Sequence, residues 1–263
     1  MKELIFIFLV LIAAFLGYLL QLLTMSGTIA AIVVGVLINL GFGWKGLLLL
    51  GFFFTSSSLL SKYKKKQKQQ IEARHEKGST RDWQQVVANG GLPALFSVLF
   101  IIFPSPIFFI AFTITIASAN SDTWASEIGS LSKRRPLSIK HFKQVEPGTS
   151  GAMSFLGTFA AIMGSFSIAI IAMLSYSLSF STLFIIFVFG FLGNILDTLL
   201  GAFIQVTYRC PSCEMVVESK WHCNRKTVHM SGNTIVNNDL VNLSSCALAS
   251  ILGVLFFVTV AGG

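Results

Sequence analysis

The stretch Ile116-Ala-Ser-Ala-Asn-Ser-Asp-Thr-Trp-Ala-Ser-Glu-Ile-Gly129 sets two carboxylates, Asp122 and Glu127, directly behind an apolar run at 107–116. Ionisable side chains at the edge of or inside a hydrocarbon layer are costly to hold, so they usually mark functional sites. Helical spacing puts Asn120, Thr123 and Glu127 on one face (i, i+3, i+7), and Asp122 with Ser126 on an adjacent one. Asp122 and Glu127 then lie about 140° apart on a regular helix. They can share one metal ion only if the helix breaks or another segment supplies ligands. The plain alternative is a polar helix end in the interface, capped by Ser121 or Asp122. Lys133-Arg134-Arg135 follows closely. Carboxylates beside a basic cluster suit a divalent cation and phosphate groups.

Other segments carry matching chemistry. In 193–201, Asn194, Asp197, Thr198 and Gly201 share a helical stripe, and Asp197 sits midway along an apolar helix. That is an ion or substrate group, or a structural Asp buried against Asn. In 237–245, Asn238, Asn242 and Ser245 share a stripe with Asp239 beside it. Asp122, Glu127, Asp197 and Asp239 thus belong to three helices and converge if those helices pack together. Between 74 and 91, Gln85 and Asn89 stack at i, i+4 and Gly90-Gly91 permits close approach, with Lys77 and Arg81 just outside. This reads as a phosphate-facing entrance, with Ser79 or Thr80 capping the next helix. The polybasic run 62–70 reads as a topology signal in contact with anionic lipid. Gly148, Thr149, Ser150 and Gly151 lead into a span. A helix start there would expose N–H groups and hydroxyls to an anion, compatible with ordinary capping by Thr149 or Ser150.

Cys210-Pro-Ser-Cys213 followed by His222-Cys223 resembles a Cys3His zinc knuckle within 210–229, with His229 as an alternative ligand. Four protein ligands would make it a structural Zn2+ site.

The elements that must position these groups are membrane helices. The chain is 54% hydrophobic and 11% charged, with mean hydropathy +0.75 and 25 Phe, which excludes an ordinary soluble domain. The fold class is all-α: a polytopic membrane helix bundle forming a single domain over 1–263. Apolar runs at 4–23, 28–40, 46–60, 86–103, 107–119, 151–176, 183–205 and 240–260 predict about eight spans. The second and fifth are short and could be re-entrant or packed inside the bundle. All but Lys2 and Lys45 of the 19 Lys and Arg fall in the loops 62–82, 130–148 and 208–238. Eight spans put these loops on one side, which the positive-inside rule makes cytoplasmic, in a plasma-membrane protein with a cytoplasmic active face. The net charge of +8 is accounted for by these loops and signals no nucleic-acid partner. No internal repeat is evident, which weighs against an inverted-repeat transporter.

Taken in order, Lys77 to Gly90, Ala119 to Gly129, Glu146 to Gly151, Gly193 to Ala202 and Asn238 to Ser245 resemble the transmembrane-protein-19-like integral membrane family, which includes the plant phytyl-phosphate kinase. The resemblance runs over almost the whole chain. It implies phosphoryl transfer from a nucleoside triphosphate, CTP being expected, to an isoprenoid monophosphate such as phytyl or geranylgeranyl phosphate, giving the diphosphate. On that expectation Asp122, Glu127 and Asp197, with Asp239, hold Mg2+. Lys77, Arg81, Lys133 and Arg134 bind phosphates, and Thr149, Ser150 and Gly151 cradle one. Asn89, Asn120, Asn194 and Asn242 orient oxygens. The rival readings are a transporter or flippase of an anionic lipid or ion, and a CTP-dependent cytidylyltransferase.

Overall fold

The computed structural model describes residues 2–261. Its elements in chain order are α1 (Lys2–Leu19), α2 (Met25–Lys62), α3 (Lys65–Glu72), α4 (Trp83–Ile102), α5 (Pro106–Gly129), β1 (Leu137–Ser138), β2 (Ala152–Met153), α6 (Phe155–Tyr176), α7 (Phe180–Phe203), β3 (Thr207–Arg209), β4 (Val216–Val217), β5 (Trp221–His222), β6 (Arg225–Lys226), β7 (Val228–Ser231) and α8 (Asn238–Ala261). Among the described residues α2, α4, α6, α7 and α8 are long and apolar enough to cross a membrane, and α1 contains a shorter apolar helix. The molecule is mostly helical, and its strands are two to four residues long and confined to loops.

α2 is two limbs. Gly43 breaks it at φ +62°, ψ −159°, a region open to glycine and poorly tolerated by residues with a Cβ. The limbs fold back on each other, because both ends of α2 meet the same residue. Gly27 packs against the Arg81 backbone, and the Arg81 guanidinium donates to Ser58 at 3.0 Å. The hairpin falls in the gap between the apolar runs 28–40 and 46–60.

α5 is the axis of the bundle. It packs on α2, α4, α6, α7 and α8, and every residue from Ile110 to Ser121 is buried. The short fifth run was expected either as a re-entrant segment or as one packed inside; it is packed inside, and the helix extends unbroken to Gly129. Its polar residues do not stop it, because their side chains are satisfied locally or by a neighbour. Thr113, Thr115 and Thr123 return hydrogen bonds to carbonyls four residues back. Ser121 donates to the Ala161 carbonyl on α6 at 2.8 Å. Close approach of α5 and α6 relies on glycine: a Cβ on Gly164 would sit 3.0 Å from the Asn120 carbonyl oxygen. Small residues at helix crossings are how apolar helices associate where water supplies no drive.

The two ends of the bundle differ. At one, Phe42 stacks near Phe100, Phe109 and Phe112, and the Tyr176 hydroxyl donates to the Phe42 carbonyl at 3.1 Å. At the other, the three basic loops meet. The run 62–70, read as loop, is largely helical: Lys and Gln favour helix, and the turn at Tyr63–Lys64 starts α3 afresh. Short antiparallel pairings (Leu137↔Met153, and the sheet β4-β3-β7) close two of these loops on themselves, and Glu218 ties the loops together, its amide donating to the Arg74 carbonyl and its carboxylate accepting from Ser150, both at 2.8 Å.

Candidate functional site

The loop-bearing end holds a cavity of about 350 Å³, floored by α5, α7 and α8 and walled by the residues before α4 and before α6. Asp122 and Asp197 both line it. The Asn194 amide donates to Asp122 at 3.1 Å, and Ser245 donates to Asp197 at 3.1 Å. Asn242 reaches Asp197 at 2.9 Å and the Asn238 carbonyl at 3.2 Å in the amide orientation that satisfies both. Asp122 lies close enough for its charge to act on Asp197. Among the described residues neither carboxylate has a Lys, Arg or His ion-pair partner. α5 stays regular here, so Asp122 is completed from α7 and α8, and not by Glu127.

Glu127 is engaged elsewhere. It accepts from Lys68 at 2.6 Å and from Ser61. The Lys68 side chain is 4% exposed, so this is a buried ion pair linking α3 to α5. Asp239, at the first turn of α8, pairs with Lys77, which also meets Asp82 at 2.9 Å. Burial works against the Lys77 charge, but the bonds to Asp239 and Asp82 outweigh it and hold the ammonium above its usual range. The four acidic residues therefore divide: among the described residues two share the cavity without an ion-pair partner, and two are neutralised by lysines.

Arg81 lines the same cavity and is free of carboxylate partners among the described residues. Its guanidinium donates to Ser58 and lies 5.7 Å from the Phe54 ring centre. Burial lowers its pKa, while the Glu127 charge supports it. The helix after it is capped by Asp82 in a reciprocal box with Gln85, not by Ser79 or Thr80.

Thr149, Ser150 and Gly151 also line the cavity, but they are not a helix start. α6 begins at Phe155 with Ser154 as its cap. The segment before it is a turn with Gly148 at φ +81° and Gly151 at φ +70°, and Gly151 lies against α7, where a Cβ would meet Ala202 at 2.3 Å. Asn89 lines the cavity while its amide donates to the Gln85 carbonyl at 3.0 Å.

Three expected site residues are not brought to the cavity. Asn120 is buried between helices, donating to the Gly164 carbonyl at 2.8 Å and accepting from Ser56 at 3.2 Å, so it serves packing. Lys133 and Arg134 are exposed in the turn after α5 and do not line the cavity, because the chain leaves α5 outward there. Cys210, Cys213, His222 and Cys223 do come together, with their ligand atoms all within 4.8 Å of one another, while His229 instead faces the Gly232 carbonyl at 3.0 Å.

An integral membrane protein family, DUF92, matches residues 8–250. The chain belongs to that family. An uncharacterized membrane protein of Methanocaldococcus jannaschii is 32% identical over 237 residues, covering 89% of this chain and 85% of the relative. Protein PGR of Arabidopsis thaliana is 30% identical over 276 aligned residues (91% and 90%). The chloroplastic protein VTE6 of the same plant is 25% identical over 238 residues, covering 89% of this chain and 65% of the relative. No solved structure matches. The family is the transmembrane-protein-19-like one that includes plant phytyl-phosphate kinase, as the motifs implied. The matched region takes in every residue named above as lining the cavity, together with the cysteine loop.

Two groups in this site carried no sequence signal. Lys68 is one lysine in a polybasic run, and nothing in its neighbours says that it turns inward. Glu218 follows β4 and accepts from Ser150 and Gln205, both at 2.8 Å, and faces His75 at 3.3 Å. Burial would raise the Glu218 pKa, but His75 and Ser150 hold it below the usual carboxylate range.

Proposed function

We propose that this protein is a prenyl-phosphate kinase: it transfers the terminal phosphoryl group of a nucleoside triphosphate, CTP by the family resemblance, to an isoprenoid monophosphate. The observation that carries the reading is the separated charge in the cavity. Asp122 and Asp197 line it together without a cationic ion-pair partner, and half-buried Arg81 has no anionic one, among the described residues. A phosphate with its divalent cation supplies both missing partners.

The donor set fits Mg2+, which favours carboxylate oxygens and retains some of its waters. Asp122 and Asp197 would hold it, with Asn194 and Asn242 fixing the orientation of their oxygens. When bound, the ion neutralises triphosphate charge and aligns the transferred group. Arg81 would bind an equatorial phosphate oxygen, and the Gly148–Gly151 turn would approach the phosphates with backbone N–H groups. In the reaction an oxygen of the prenyl phosphate bonds to the γ-phosphorus. The bond from that phosphorus to the β-phosphate oxygen breaks, and the nucleoside diphosphate leaves. The acceptor is already an anion, so no general base is required. Lys77 would exchange Asp239 or Asp82 for phosphate as the substrates enter.

The topology that goes with this reading has eight crossings: α1, the two limbs of α2, α4, α5, α6, α7 and α8. Both termini lie opposite the basic loops, which face the cytoplasm in a plasma-membrane location. Nucleotide then reaches the cavity from water and the prenyl chain reaches it from lipid.

Detergent-purified protein given Mg2+, CTP and geranylgeranyl phosphate should yield CDP and geranylgeranyl diphosphate. Pyrophosphate release in place of CDP would make it a cytidylyltransferase. Absence of turnover with phytyl, geranylgeranyl and farnesyl phosphates would remove the kinase reading in favour of transport.

A further inference from the structure

We infer that Cys210, Cys213, His222 and Cys223 bind one structural Zn2+, and that this ion holds the 205–237 loop so that Glu218 stays locked over the cavity. The first support is geometric. Zinc bonds of about 2.3 Å to sulfur and about 2.1 Å to nitrogen in a tetrahedron set sulfur pairs about 3.8 Å apart and sulfur–nitrogen pairs about 3.6 Å apart. Here Cys213 Sγ is 3.8 Å from Cys223 Sγ and 3.5 Å from His222 Nδ1, and Cys223 Sγ is 3.3 Å from the same nitrogen. A disulfide needs sulfurs about 2.05 Å apart. The four cysteines are free thiols.

The second support is the backbone. Cys210-Pro-Ser-Cys213 is the turn from β3 to β4, with Glu214 in the left-handed region at φ +59°. Cys223 and Asn224 form the two-residue turn from β5 to β6, both left-handed at φ +52° and +55°. Such turns want glycine or Asn at both positions, and a Cys in one is strained. Two turns thus point thiolates at one centre at a local expense that a metal offsets.

The third support is the weakness of everything else in the loop. Its buried apolar cluster is Val206, Tyr208 and Val217, with Met215 packed against it. That is too little burial to fix about thirty residues without a cross-link. Yet Glu218 is 9% exposed and its amide donates to the Arg74 carbonyl at 2.8 Å. β4 immediately precedes Glu218, and β4 is registered on β3 across the Cys210–Cys213 turn. A metal in that turn sets where Glu218 lands, making Glu218 a positioned residue and the zinc its support.

The test needs no assay of transfer. Protein purified in detergent without chelators should carry about one zinc per chain by elemental analysis, and Cys213→Ser and Cys223→Ser should carry under a fifth of that. Stripping zinc from the wild type with a thiol-directed mercurial and chelator, then returning thiols, covers variants that fail to fold. The stripped protein should keep its helical circular dichroism. The peptide containing 216–218 should exchange amide hydrogen at least tenfold faster, and Zn2+ but not Mg2+ should restore protection. Zinc-free protein from zinc-supplemented cells would overturn the site. Bound zinc whose removal leaves exchange at 216–218 unchanged would overturn its role in holding Glu218.

Discussion

Asp197→Asn should make the metal-free protein more stable and, if the proposed kinase reading holds, abolish transfer, two effects of opposite sign from one change. Asp122 and Asp197 line one cavity, each fixed by neutral donors, with no cationic partner among the described residues. Two like unit charges held in one site repel by roughly 3 kcal/mol at an effective dielectric near 20. Some of that relief is lost, because Ser245 and Asn242 then face an amide in place of a carboxylate. An exchanged hydrogen bond of this type is worth about 1 kcal/mol, which leaves a net gain of about 2 kcal/mol. Divalent cation reverses the order. At 100 times its dissociation constant a ligand stabilises the form that binds it by about 2.7 kcal/mol, so Mg2+ should lift the wild type above the variant. The assay is thermal unfolding in detergent followed by intrinsic fluorescence, with and without Mg2+. Trp124, whose indole donates to Ser56 at 3.1 Å, reports from the same helix as Asp122. A variant destabilised without Mg2+, or one that keeps the wild-type shift with Mg2+, refutes the argument that these carboxylates are an unpaired cation site.

Arg81→Gln should raise the KM for nucleotide or prenyl phosphate ten- to a hundredfold, the equivalent of losing a charged hydrogen bond of about 1.5–3 kcal/mol, with Arg81→Lys recovering part of it in the same steady-state assay. Glu127→Gln leaves Lys68 charged and buried, and should cost about 3–5 kcal/mol in thermal unfolding, whereas the paired change Glu127→Leu with Lys68→Met should come close to wild type. Gly151→Ala meets both a φ of +70° and the Ala202 backbone at under 3 Å, so the yield of monodisperse protein on size exclusion should fall sharply, while Gly51→Ala, with open space at its Cβ, should not. The Glu218 pKa is lowered in the fold, so its contribution is complete above the unfolded value near 4.5 and fades as pH falls through the lower folded value. The protection factor at 216–218, measured against the intrinsic exchange rate at each pH, should therefore fall as the pH drops below about 4.5, and Glu218→Gln should flatten that dependence.

The sequence by itself determined the apolar helices, the break between the runs 28–40 and 46–60, and the gathering of the basic loops at one end. Hydropathy and glycine act locally, so a window of residues contains the whole cause. It also determined the Cys/His cluster, because ligand spacing within one loop is nearly its geometry, and it singled out Asp122 and Asp197 as carboxylates in an apolar setting. Only the tertiary structure decided which charges meet. Helical periodicity gives a residue's angle about its own axis, but not how that helix is rotated against its neighbours. Thus Asp122 and Glu127, five residues apart, have different partners: Asn194 for one, Lys68 and Ser61 for the other. The same freedom turned Asn120 into the α6 contact and brought Glu218, unmarked in sequence, over the cavity. Rotation about a helix axis is set by the summed packing of its whole length, here by glycines such as Gly157 and Gly164 that let backbones touch, and no short motif records it.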